Sequence, residues 1–265
     1  MEPGLVVLIK GAGEMASGVA WRLFKSHFRV ALTERPQPLA VRRGVSFCEA
    51  AYEGKKLVEG VEAVRVLSPQ EIPHEWARNR IPLLEDPELK LREILEPDVL
   101  VEATLSKRNT GISMDDAPLV IALGPGYEAG RDAHYVVETN RGHNLGRLYD
   151  RGRAEPNTGV PGEIGGRTYE RVLRAPADGI FETGCSLGQP VSPGDIVARV
   201  GGDEVAAGIG GVLRGLLRPG TRVRQGLKVG DIDPRGQADY VNTISEKARA
   251  IGGAVLEAIL RVYNT

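Results

Sequence analysis

Residues 5–16 read Leu-Val-Val-Leu-Ile-Lys-Gly-Ala-Gly-Glu-Met-Ala, which is an apolar run, a glycine-rich turn and the start of a helical pattern. A continuous apolar run is typical of a parallel strand that is covered on both faces. After the turn, apolar residues recur at helical spacing as far as Phe24. The stretch therefore predicts a strand, a tight turn and a helix, the first unit of an open α/β sheet.

Similar segments continue to residue 138 and predict a Rossmann-like domain over residues 1–160. The strand-like runs are 29–33, 61–67, 98–104, 119–123 and 134–138, and the helical patterns are 69–78 and 87–95. Beyond residue 138 the composition changes, because residues 139–166 are rich in Gly, Arg and Asn and include two prolines. A segment of this kind is typical of a domain boundary.

The second half of the chain contains an internal repeat with an offset of 32 residues. The repeated pairs are Ala175 and Ala207, Gly179 and Gly211, Gly188 and Gly220, Val191 and Val223, Gly194 and Gly226, and Val197 and Val229. Two halves of short strands predict an all-β barrel-sandwich module of the biotinyl/lipoyl type over residues 167–236. The turns that would carry a modified lysine, 201–204 and 233–236, contain none, so we expect neither lipoyl nor biotin.

The last segment, residues 237–265, predicts a helix that follows the N-cap Ser245 and packs back on the first domain. Gly252 and Gly253 within this helix each cost about 1 kcal/mol relative to Ala. We expect close packing of backbone against backbone to offset that cost. The predicted fold class is therefore α/β, with a Rossmann-like N-terminal domain, an all-β barrel-sandwich module and a C-terminal helix.

The composition argues against several classes of function. The chain has 34 Lys+Arg against 35 Asp+Glu and an aromatic content of 5%, so we expect no nucleic-acid binding. The longest N-terminal apolar run, residues 5–9, is too short for a signal sequence or a membrane span. The two cysteines and four histidines lack ligand spacing, so we expect no metal site. Together these features predict a cytoplasmic protein.

The turn after the first strand matches G-x-G-x-x-A, a form of the dinucleotide-binding fingerprint. Gly11 permits the tight turn, Gly13 lets a phosphate approach the backbone, and the following helix presents its N-terminal amides to the anion. Glu34 stands 23 residues after Gly11, where an acidic side chain binds ribose hydroxyls. The turn and Glu34 together predict that a nucleotide or dinucleotide binds here.

Glu14 is the discordant residue of this motif, because its carboxylate repels a phosphate unless the side chain turns away. The nearby Arg35, Arg42 and Arg43 are candidates for a second phosphate contact, although a solvated basic surface explains them equally well. The alternative reading of the motif is a tight turn that binds no nucleotide.

Three polar loops follow later strands and belong at the carboxyl edge of the sheet, where open α/β sheets bind ligands. They are 106–109, 124–126 and 140–144, and each by itself is also compatible with an ordinary surface loop. We predict His143 and Lys107 as candidate catalytic residues, His143 because imidazole exchanges protons near neutral pH. The predicted cofactor-binding residues are Gly11, Gly13, Glu14, Met15, Glu34, Gly124, Gly126, Asn140 and Arg141.

Long stretches of this sequence resemble the YqeB-type family of accessory proteins. These stretches are 9–20, 36–43, 115–121, 138–147, 174–179, 230–236 and 247–253. Two positions depart from the family pattern. Glu14 stands where Asp is common, which preserves the charge, and Cys48 stands where Ser is common, which argues against an essential thiol.

The resemblance implies an accessory protein that matures a selenium-dependent molybdenum hydroxylase, with that hydroxylase as its partner. Together with the fingerprint it predicts a small phosphate-containing ligand, either a dinucleotide or the molybdenum cofactor in its dinucleotide form. Two alternatives stay open, an NAD(P)-dependent oxidoreductase and a non-catalytic scaffold that presents residues 167–236 to the molybdoenzyme. Whether the chain catalyses a reaction and whether it forms a homo-oligomer also stay open.

Overall fold

The segment that opens the chain folds into the elements that its pattern predicts. In the computed structural model, which describes residues 4–264, strand β1 Val6–Lys10 leads through the glycine turn into helix α1 Glu14–Lys25. Strand β2 Arg29–Glu34 follows and pairs with β1 in parallel. The apolar residues of β1 and β2 are buried except Val6 at the start of β1, as strands covered on both faces require.

The elements that follow as far as residue 153 are short. They are helix α2 Ala50–Glu53, strands β3 Lys55–Val58 and β4 Val61–Val66, helix α3 Ile72–Ala77, strand β5 Ile81–Glu85, helix α4 Leu91–Leu95, and strands β6 Val99–Glu102, β7 Leu119–Leu123, β8 Glu128–Ala129, β9 Tyr135–Val137, β10 Leu148–Tyr149 and β11 Gly152–Arg153. Single 3-10 turns lie at Arg43–Val45, Phe47–Glu49, Pro69–Glu71 and Met114–Asp116. Every strand-like run and helical pattern predicted up to residue 138 contains an element of the predicted type.

Nine strands form one sheet in the order β10-β9-β7-β6-β1-β2-β5-β4-β3. Neighbours pair in parallel except at the two ends, where β10 and β3 are antiparallel to their neighbours. The sheet lies in what we call the nine-stranded unit, residues 4–38, 46–158 and 244–264. Because the inner strands are parallel, their carboxyl ends meet along one side of the sheet, which we call the carboxyl edge.

The predicted fold class, a Rossmann-like domain followed by a barrel-sandwich module, is wrong. The large sheet is mixed, with β5 between β2 and β4 and with the β3–β4 hairpin at its end. Among the described residues no α-helix connects β6 to β7 or β7 to β9. These connections are polar loops without an apolar helical stripe, so they cannot bury a helix against the sheet. The structure is a large mixed sheet together with antiparallel sheets.

The C-terminal helix α5 Glu246–Tyr263 also belongs to the nine-stranded unit, where it packs along α1. A Cβ atom on Gly252 would lie 2.9 Å from the carbonyl oxygen of Gly18, and one on Gly18 would lie 2.7 Å from Ala248 Cβ. The close backbone packing predicted for Gly252 is therefore confirmed. It is wrong for Gly253, where a Cβ atom would have no neighbour within 4 Å.

The other compact part is what we call the double-sheet unit, residues 39–45 and 159–243. Its strands are β12 Val172–Arg174, β13 Gly179–Glu182, β14 Pro190–Val191, β15 Ile196–Val200, β16 Asp203–Ala206, β17 Gly211–Leu216, β18 Arg222–Val223 and β19 Lys228–Asp233, followed by a 3-10 turn at Ala238–Val241. They form two four-stranded antiparallel sheets in the orders β12-β19-β17-β14 and β16-β15-β13-β18. One hydrophobic cluster, which includes Phe181 and Leu213, contains residues of both sheets.

The sequence repeat of 32 residues corresponds to strands of the double-sheet unit. The first residues of β13, β14 and β15 stand at this offset before those of β17, β18 and β19. The repeats exchange their middle strands, because β14 pairs with β17 and β18 pairs with β13. The two halves are therefore interleaved, and neither sheet is built from one repeat alone.

Residues 39–45 join the double-sheet unit from a distant part of the sequence. Arg42 Nη1 donates to the carbonyl oxygen of Tyr240 at 2.9 Å, and Arg43 Nε donates to that of Leu216 at 2.8 Å. The limits 1–160, 167–236 and 237–265 stay a proposal for separate domains, since a compact unit is not by itself an independently folding domain.

Candidate functional site

The glycine turn between β1 and α1 lies at the carboxyl edge of the sheet. Gly11 has φ of 100°, a left-handed conformation that favours glycine, and its N–H donates to Thr33 O at 2.8 Å. Gly13 is the N-cap of α1, and a Cβ atom there would have no heavy atom within 4 Å. The space at the Cβ position of Gly13 is therefore open. The first N–H groups of a helix have no partner within the helix, so they suit an anion at this place.

Glu34 ends β2 beside this turn, where the sequence predicts a ribose-binding acid. Its Oε2 accepts the Ala12 N–H at 2.9 Å and its Oε1 accepts the Arg35 N–H at 2.8 Å. Burial raises the pKa of Glu34, and the backbone hydrogen bonds from Arg35 and Ala12 offset only part of that effect. Because a carboxylate offers about four acceptor positions, Glu34 keeps capacity for the hydroxyl groups of a ligand.

The Glu14 carboxylate, which is discordant in the sequence, points toward the start of α5. Its Oε1 accepts a hydrogen bond from Ser245 Oγ at 2.9 Å. Ser245 is the N-cap of α5, and its Oγ also accepts the Ala248 N–H at 3.3 Å. The charge of Glu14 thus lies near a second helix N-terminus, where a negative charge is favourable. The Met15 side chain is in the core, with 6% exposure, so only its backbone is suited to contact a ligand.

The loops after β6 and β7 lie against each other at the same edge. A Cβ atom on Gly126 would lie 2.3 Å from Ser106 O and 2.8 Å from Arg108 N, so only glycine fits there. A Cβ atom on Gly124 would lie 2.9 Å from Thr139 Oγ1, which brings the loop after β9 next to them. The structure therefore brings Gly124 and Gly126 together with the loop that carries Lys107. The Lys107 side chain itself is exposed.

The loop of residues 140–144 is held by acidic side chains of the nine-stranded unit. Asn140 Nδ2 donates to Glu155 Oε2 at 2.8 Å, and Arg141 Nη2 donates to Glu246 Oε1 at 2.6 Å. Glu246 is the first residue of α5 and directly follows Ser245, so the Arg141 contact lies next to the Ser245–Glu14 contact. His143 is exposed, so neither candidate catalytic residue, His143 or Lys107, lies in an enclosed site.

Sequence reasoning missed a partly buried polar cluster next to the glycine turn. Glu102 ends β6 with no exposed surface, and its Oε2 accepts the Thr110 hydroxyl at 2.6 Å. Lys10 Nζ lies 3.6 Å from Glu102 Oε2 and donates to Thr110 Oγ1 at 3.0 Å. Burial raises the pKa of Tyr127, whose hydroxyl lies 3.2 Å from Thr110 Oγ1, and the charge of Glu102 raises it further.

A common signal for these residues exists in the sequence. Lys10, Thr33 and Glu102 each stand at or near the end of a strand whose other residues are mostly apolar. Glu138, directly after β9, is a further case, and it is fully buried. A polar residue at the end of each of several buried strands thus marks the carboxyl edge. The phosphate role considered for Arg42 is wrong, because Arg42 is buried and donates to carbonyl oxygens of the double-sheet unit.

The described residues offer no other recognisable chemistry of metals or thiols. Within residues 4–264 no group of three or more His, Cys, Asp or Glu side chains is placed to hold a metal ion. Cys48 and Cys185 are both free thiols. Burial raises the pKa of Cys48 well above its usual range, and the charges of Glu34 and Glu49 raise it further, so this thiol is unreactive. None of the helices in this part of the chain has the length and apolar character needed to cross a membrane.

Comparison with solved structures returns only distant likenesses. A product-bound structure of the ectoine utilization protein EutE (DoeB) from Ruegeria pomeroyi has 13% identity and a TM-score of 0.26, and covers 86% of this chain and 85% of that chain. An aspartoacylase family protein from Mesorhizobium loti has 14% identity and a TM-score of 0.27, with coverage of 86% and 85%. A succinylglutamate desuccinylase from a Silicibacter species has 15% identity and a TM-score of 0.25, with coverage of 88% and 85%. Likenesses at this level carry no argument about function.

Comparison of sequences gives a clear relative. No protein-family model matches the chain. The chain is 47% identical over 259 residues to the uncharacterized protein YqeB of Escherichia coli strain K12, a match that covers 98% of this chain and 48% of that protein. The chain thus spans about half the length of this curated relative. The long motifs around the glycine turn and the later loops lie within this match, so the chain is similar to about half of that protein.

Proposed function

We propose that the nine-stranded unit binds a small phosphate-containing ligand of the nucleotide type at its carboxyl edge. The open space at Gly13 carries this proposal, since a phosphate there would meet the backbone amides and the dipole of α1. Glu34 lies at the side of the same turn and would accept hydrogen bonds from ribose hydroxyls. The residues present therefore fit the phosphate and ribose parts of a dinucleotide.

The position of Glu14 supports this assignment. A carboxylate in the first turn of α1 would repel a phosphate if it lay in front of the helix. Its hydrogen bond to Ser245 Oγ directs it to α5 instead. The role of Arg141 in the same site requires that it exchange Glu246 for the ligand, and Glu246 is a solvent-exposed partner that gives up such a contact at little cost.

We further propose that the chain acts as an accessory protein in the maturation of a selenium-dependent molybdenum hydroxylase. The support is the resemblance of its long motifs to YqeB-type proteins and its 47% identity to E. coli YqeB. In that setting the molybdenum cofactor in its dinucleotide form is the ligand of choice, because its pyrophosphate matches the chemistry of the Gly13 turn. The chemistry of molybdenum or selenium would be supplied by the ligand and the partner.

The ligand proposal is tested by calorimetric titration of the full chain with ADP, NAD⁺ and the dinucleotide form of the molybdenum cofactor. We expect Gly13→Asp to weaken binding at least about tenfold, because it places a like charge at the phosphate position. Asp is a better N-cap than Gly, so this variant keeps its stability and a loss of binding is not a loss of folding.

Gly184→Asp is the matched control for this substitution. A Cβ atom on Gly184 also has no neighbour within 4 Å and its backbone is outside the left-handed region, but it lies in the double-sheet unit. Its affinities should equal those of the parent. Equal heats for the parent and Gly13→Asp would remove the proposed site, and tight binding of NAD⁺ alone would favour an oxidoreductase.

The accessory role is tested on the partner and not on the chain. A strain that lacks the gene for this chain should produce the selenium-dependent hydroxylase with reduced selenium or molybdenum, measured by elemental analysis of the purified enzyme. Expression of the parent should restore the content, and Gly13→Asp should not. A hydroxylase with full metal and selenium content in the deleted strain would contradict the proposal.

A further inference from the structure

A row of polar side chains crosses the carboxyl edge on one face of the large sheet. Lys10 of β1 is the direct neighbour of Thr33 on β2 and of Glu102 on β6. Paired residues of adjacent parallel strands lie on the same face of a sheet, so the three side chains share one face. Neither Thr33 nor Glu102 has any exposed surface. Thr33 and Glu102 therefore belong to the protein interior, whereas Lys10 keeps partial access to solvent.

Thr33 is the exceptional member of this row. Its Oγ1 is buried and has no hydrogen-bond partner among residues 4–264. A hydroxyl group that is removed from water without a partner is costly, and most such groups in folded proteins are bonded. The Gly11 N–H donates to the carbonyl oxygen of this same residue, so the unpartnered hydroxyl lies directly beside the glycine turn.

Lys10 offers the complementary charge. Its ammonium group donates to Thr110 Oγ1 at 3.0 Å and to Thr110 O at 3.3 Å. The distance of 3.6 Å to Glu102 Oε2 is longer than the ~2.8 Å of a close charge-assisted hydrogen bond. One of the three ammonium protons is thus without a close acceptor. The Lys10 side chain keeps 12% of its surface exposed, which gives a ligand access.

The partners of Glu102 fix the direction of the hydrogen bonds in this arrangement. The single proton of the Thr110 hydroxyl goes to Glu102 Oε2 at 2.6 Å, so Thr110 Oγ1 accepts from both Lys10 and the Tyr127 hydroxyl. Glu102 Oε1 accepts the N–H of Thr104 at 2.8 Å and also its hydroxyl. Glu102 is therefore supplied with donors by the protein, and the groups of the row with donor capacity left over are Thr33 and Lys10.

We propose that Thr33 Oγ1 and Lys10 Nζ bind oxygen atoms of an anionic group, a carboxylate or a phosphate, of a small ligand at this edge. The hydroxyl supplies a neutral donor and the ammonium supplies the charge. Lys10 and Thr33 would then be specificity-determining residues for a second anionic group of the ligand, separate from the phosphate at Gly13. That placement rests on the proposed function, whereas recognition of the anion itself does not.

Thr33→Val is the decisive variant, because it removes the hydroxyl and keeps the shape. A buried hydroxyl without a partner makes no stabilising bond, so the melting temperature of Thr33→Val should equal or exceed that of the parent. Titration with inorganic phosphate, malonate and ADP should show binding of at least one anion to the parent. That affinity should fall about tenfold in Thr33→Val, the effect of one lost hydrogen bond to a charged group.

Thr183→Val is the matched control, since its Oγ1 donates to Val197 O and accepts the Cys185 N–H in the double-sheet unit. It should lower the melting temperature and leave anion binding unchanged. A lower melting temperature for Thr33→Val with unchanged affinity would mean that the hydroxyl holds only a water molecule, and would overturn the proposal. Absence of binding of all three anions to the parent would do the same.

Lys10→Arg serves as a second test because it keeps the positive charge next to Glu102 while it changes the donor geometry. We expect it to weaken binding of the same anion, with Lys90→Met, an exposed lysine of the same unit, as the control that does not. The two proposals fail separately. ADP binding that survives Gly13→Asp while phosphate or malonate binding is lost in Thr33→Val removes the Gly13 site alone, and the reverse pattern removes the Thr33–Lys10 site alone.

Discussion

Both compact units contain buried carboxylates, but the groups that surround these carboxylates differ between the two units. In the double-sheet unit Asp231 is fully buried and lies within bonding distance of three cations, with Arg214 Nη2 at 2.6 Å, Lys228 Nζ at 3.0 Å and Arg171 also in contact. In the nine-stranded unit the fully buried Glu102 has a single lysine at 3.6 Å and otherwise accepts from hydroxyl and backbone groups. Ion pairs therefore surround Asp231, whereas Glu102 is held mainly by hydrogen bonds from neutral groups.

This difference concerns the hydrogen-bonding capacity that each unit leaves available for a ligand. Asp231 is surrounded by Arg171, which directly precedes β12, by Arg214 of β17 and by Lys228 of β19. Their hydrogen bonds occupy the acceptor positions of this carboxylate, so none is left for a ligand. The carboxyl edge of a parallel sheet has no strand beyond it, and its loops must supply all further partners. At this edge the Thr33 hydroxyl has none among the described residues, and the Gly13 position is open. The double-sheet charges therefore have a structural role, and the unused groups at the edge are those on which the proposed ligand site rests.

The largest expected effect on stability comes from removal of the Asp231 charge, which tests the structural role of the buried ion pairs. Asp231→Asn removes the buried carboxylate that three cations of the double-sheet unit share, and we expect the free energy of unfolding to fall by about 3–5 kcal/mol. Urea denaturation followed by circular dichroism measures it. The control is Glu204→Gln, which breaks the exposed Arg199–Glu204 pair and should cost at most about 1 kcal/mol. Similar losses in both variants would show that the buried network is not special.

A second substitution tests whether the nine-stranded unit is tightly packed away from its carboxyl edge, where α5 meets α1. Gly252→Ala places a Cβ atom 2.9 Å from Gly18 O between α5 and α1, and overpacking of this kind should cost about 1–3 kcal/mol. Gly253→Ala in the same helix meets nothing within 4 Å and should instead stabilise the protein by about 1 kcal/mol. The two variants are compared by thermal and urea unfolding. Effects of the same sign would contradict the close helix contact.

The pH dependence of stability should have opposite signs in the two units. Burial raises the pKa of Asp231, but the charges of Lys228, Arg214 and Arg171 outweigh it and lower the pKa from 3.8 to about 2. This group should therefore contribute about 2 kcal/mol above pH ~4, and the contribution should disappear as the pH falls toward 2. Glu34 has a raised pKa, so its contribution is present below its ordinary pKa of 4.5 and is lost as the pH rises through the raised value.

Two variants separate these effects when the free energy of unfolding is measured from pH 2 to pH 8. The deficit of Asp231→Asn relative to the parent should shrink below pH ~4, because the parent loses the same charge there. Glu34→Gln should gain stability relative to the parent as the pH rises from 4 to 7. Parallel curves for the parent and both variants would exclude the assigned charge states.

The smallest expected effect concerns the Glu14–Ser245 contact at the edge. Ser245→Ala removes the N-cap of α5 and should cost about 1 kcal/mol in the free energy of unfolding. It also removes the hydrogen bond that directs Glu14 toward α5, so it should weaken the binding of phosphate ligands at Gly13. Ser26→Ala is a fair control, because Ser26 caps the other end of α1 through its backbone N–H alone. Unchanged ligand affinity in Ser245→Ala would mean that the direction of Glu14 does not matter for binding.

Local patterns in the sequence predict the elements well. The run at Leu119–Leu123 is a strand with those limits, and α5 begins directly after the predicted N-cap Ser245. Gly11, Gly13 and Glu34 meet at one turn, as their spacing predicts. These features depend on residues that are near one another in the chain, where dihedral preferences, capping and apolar periodicity act directly.

The predicted fold class is wrong because it depends on contacts between residues that are distant in the chain. The place of β5 between β2 and β4, and the loops in place of helices after β6, depend on which distant strands pair. The Thr33–Lys10–Glu102 row was missed because each of these residues, taken alone, is an ordinary polar residue near the end of a strand. Only the register of three strands places them side by side.

The sequence by itself therefore determined the strand, turn and helix around residues 5–16, the repeat of the second half and the capped C-terminal helix, because short-range periodicity and turn chemistry specify them. The tertiary structure alone decided the mixed order of the large sheet, the interleaving of the two repeats and the direction of Glu14. It also decided that the Thr33 hydroxyl is buried without a partner. These outcomes follow from the pairing of residues that are distant in the chain, and such pairing is set by how the whole molecule buries its apolar surface and satisfies its polar groups.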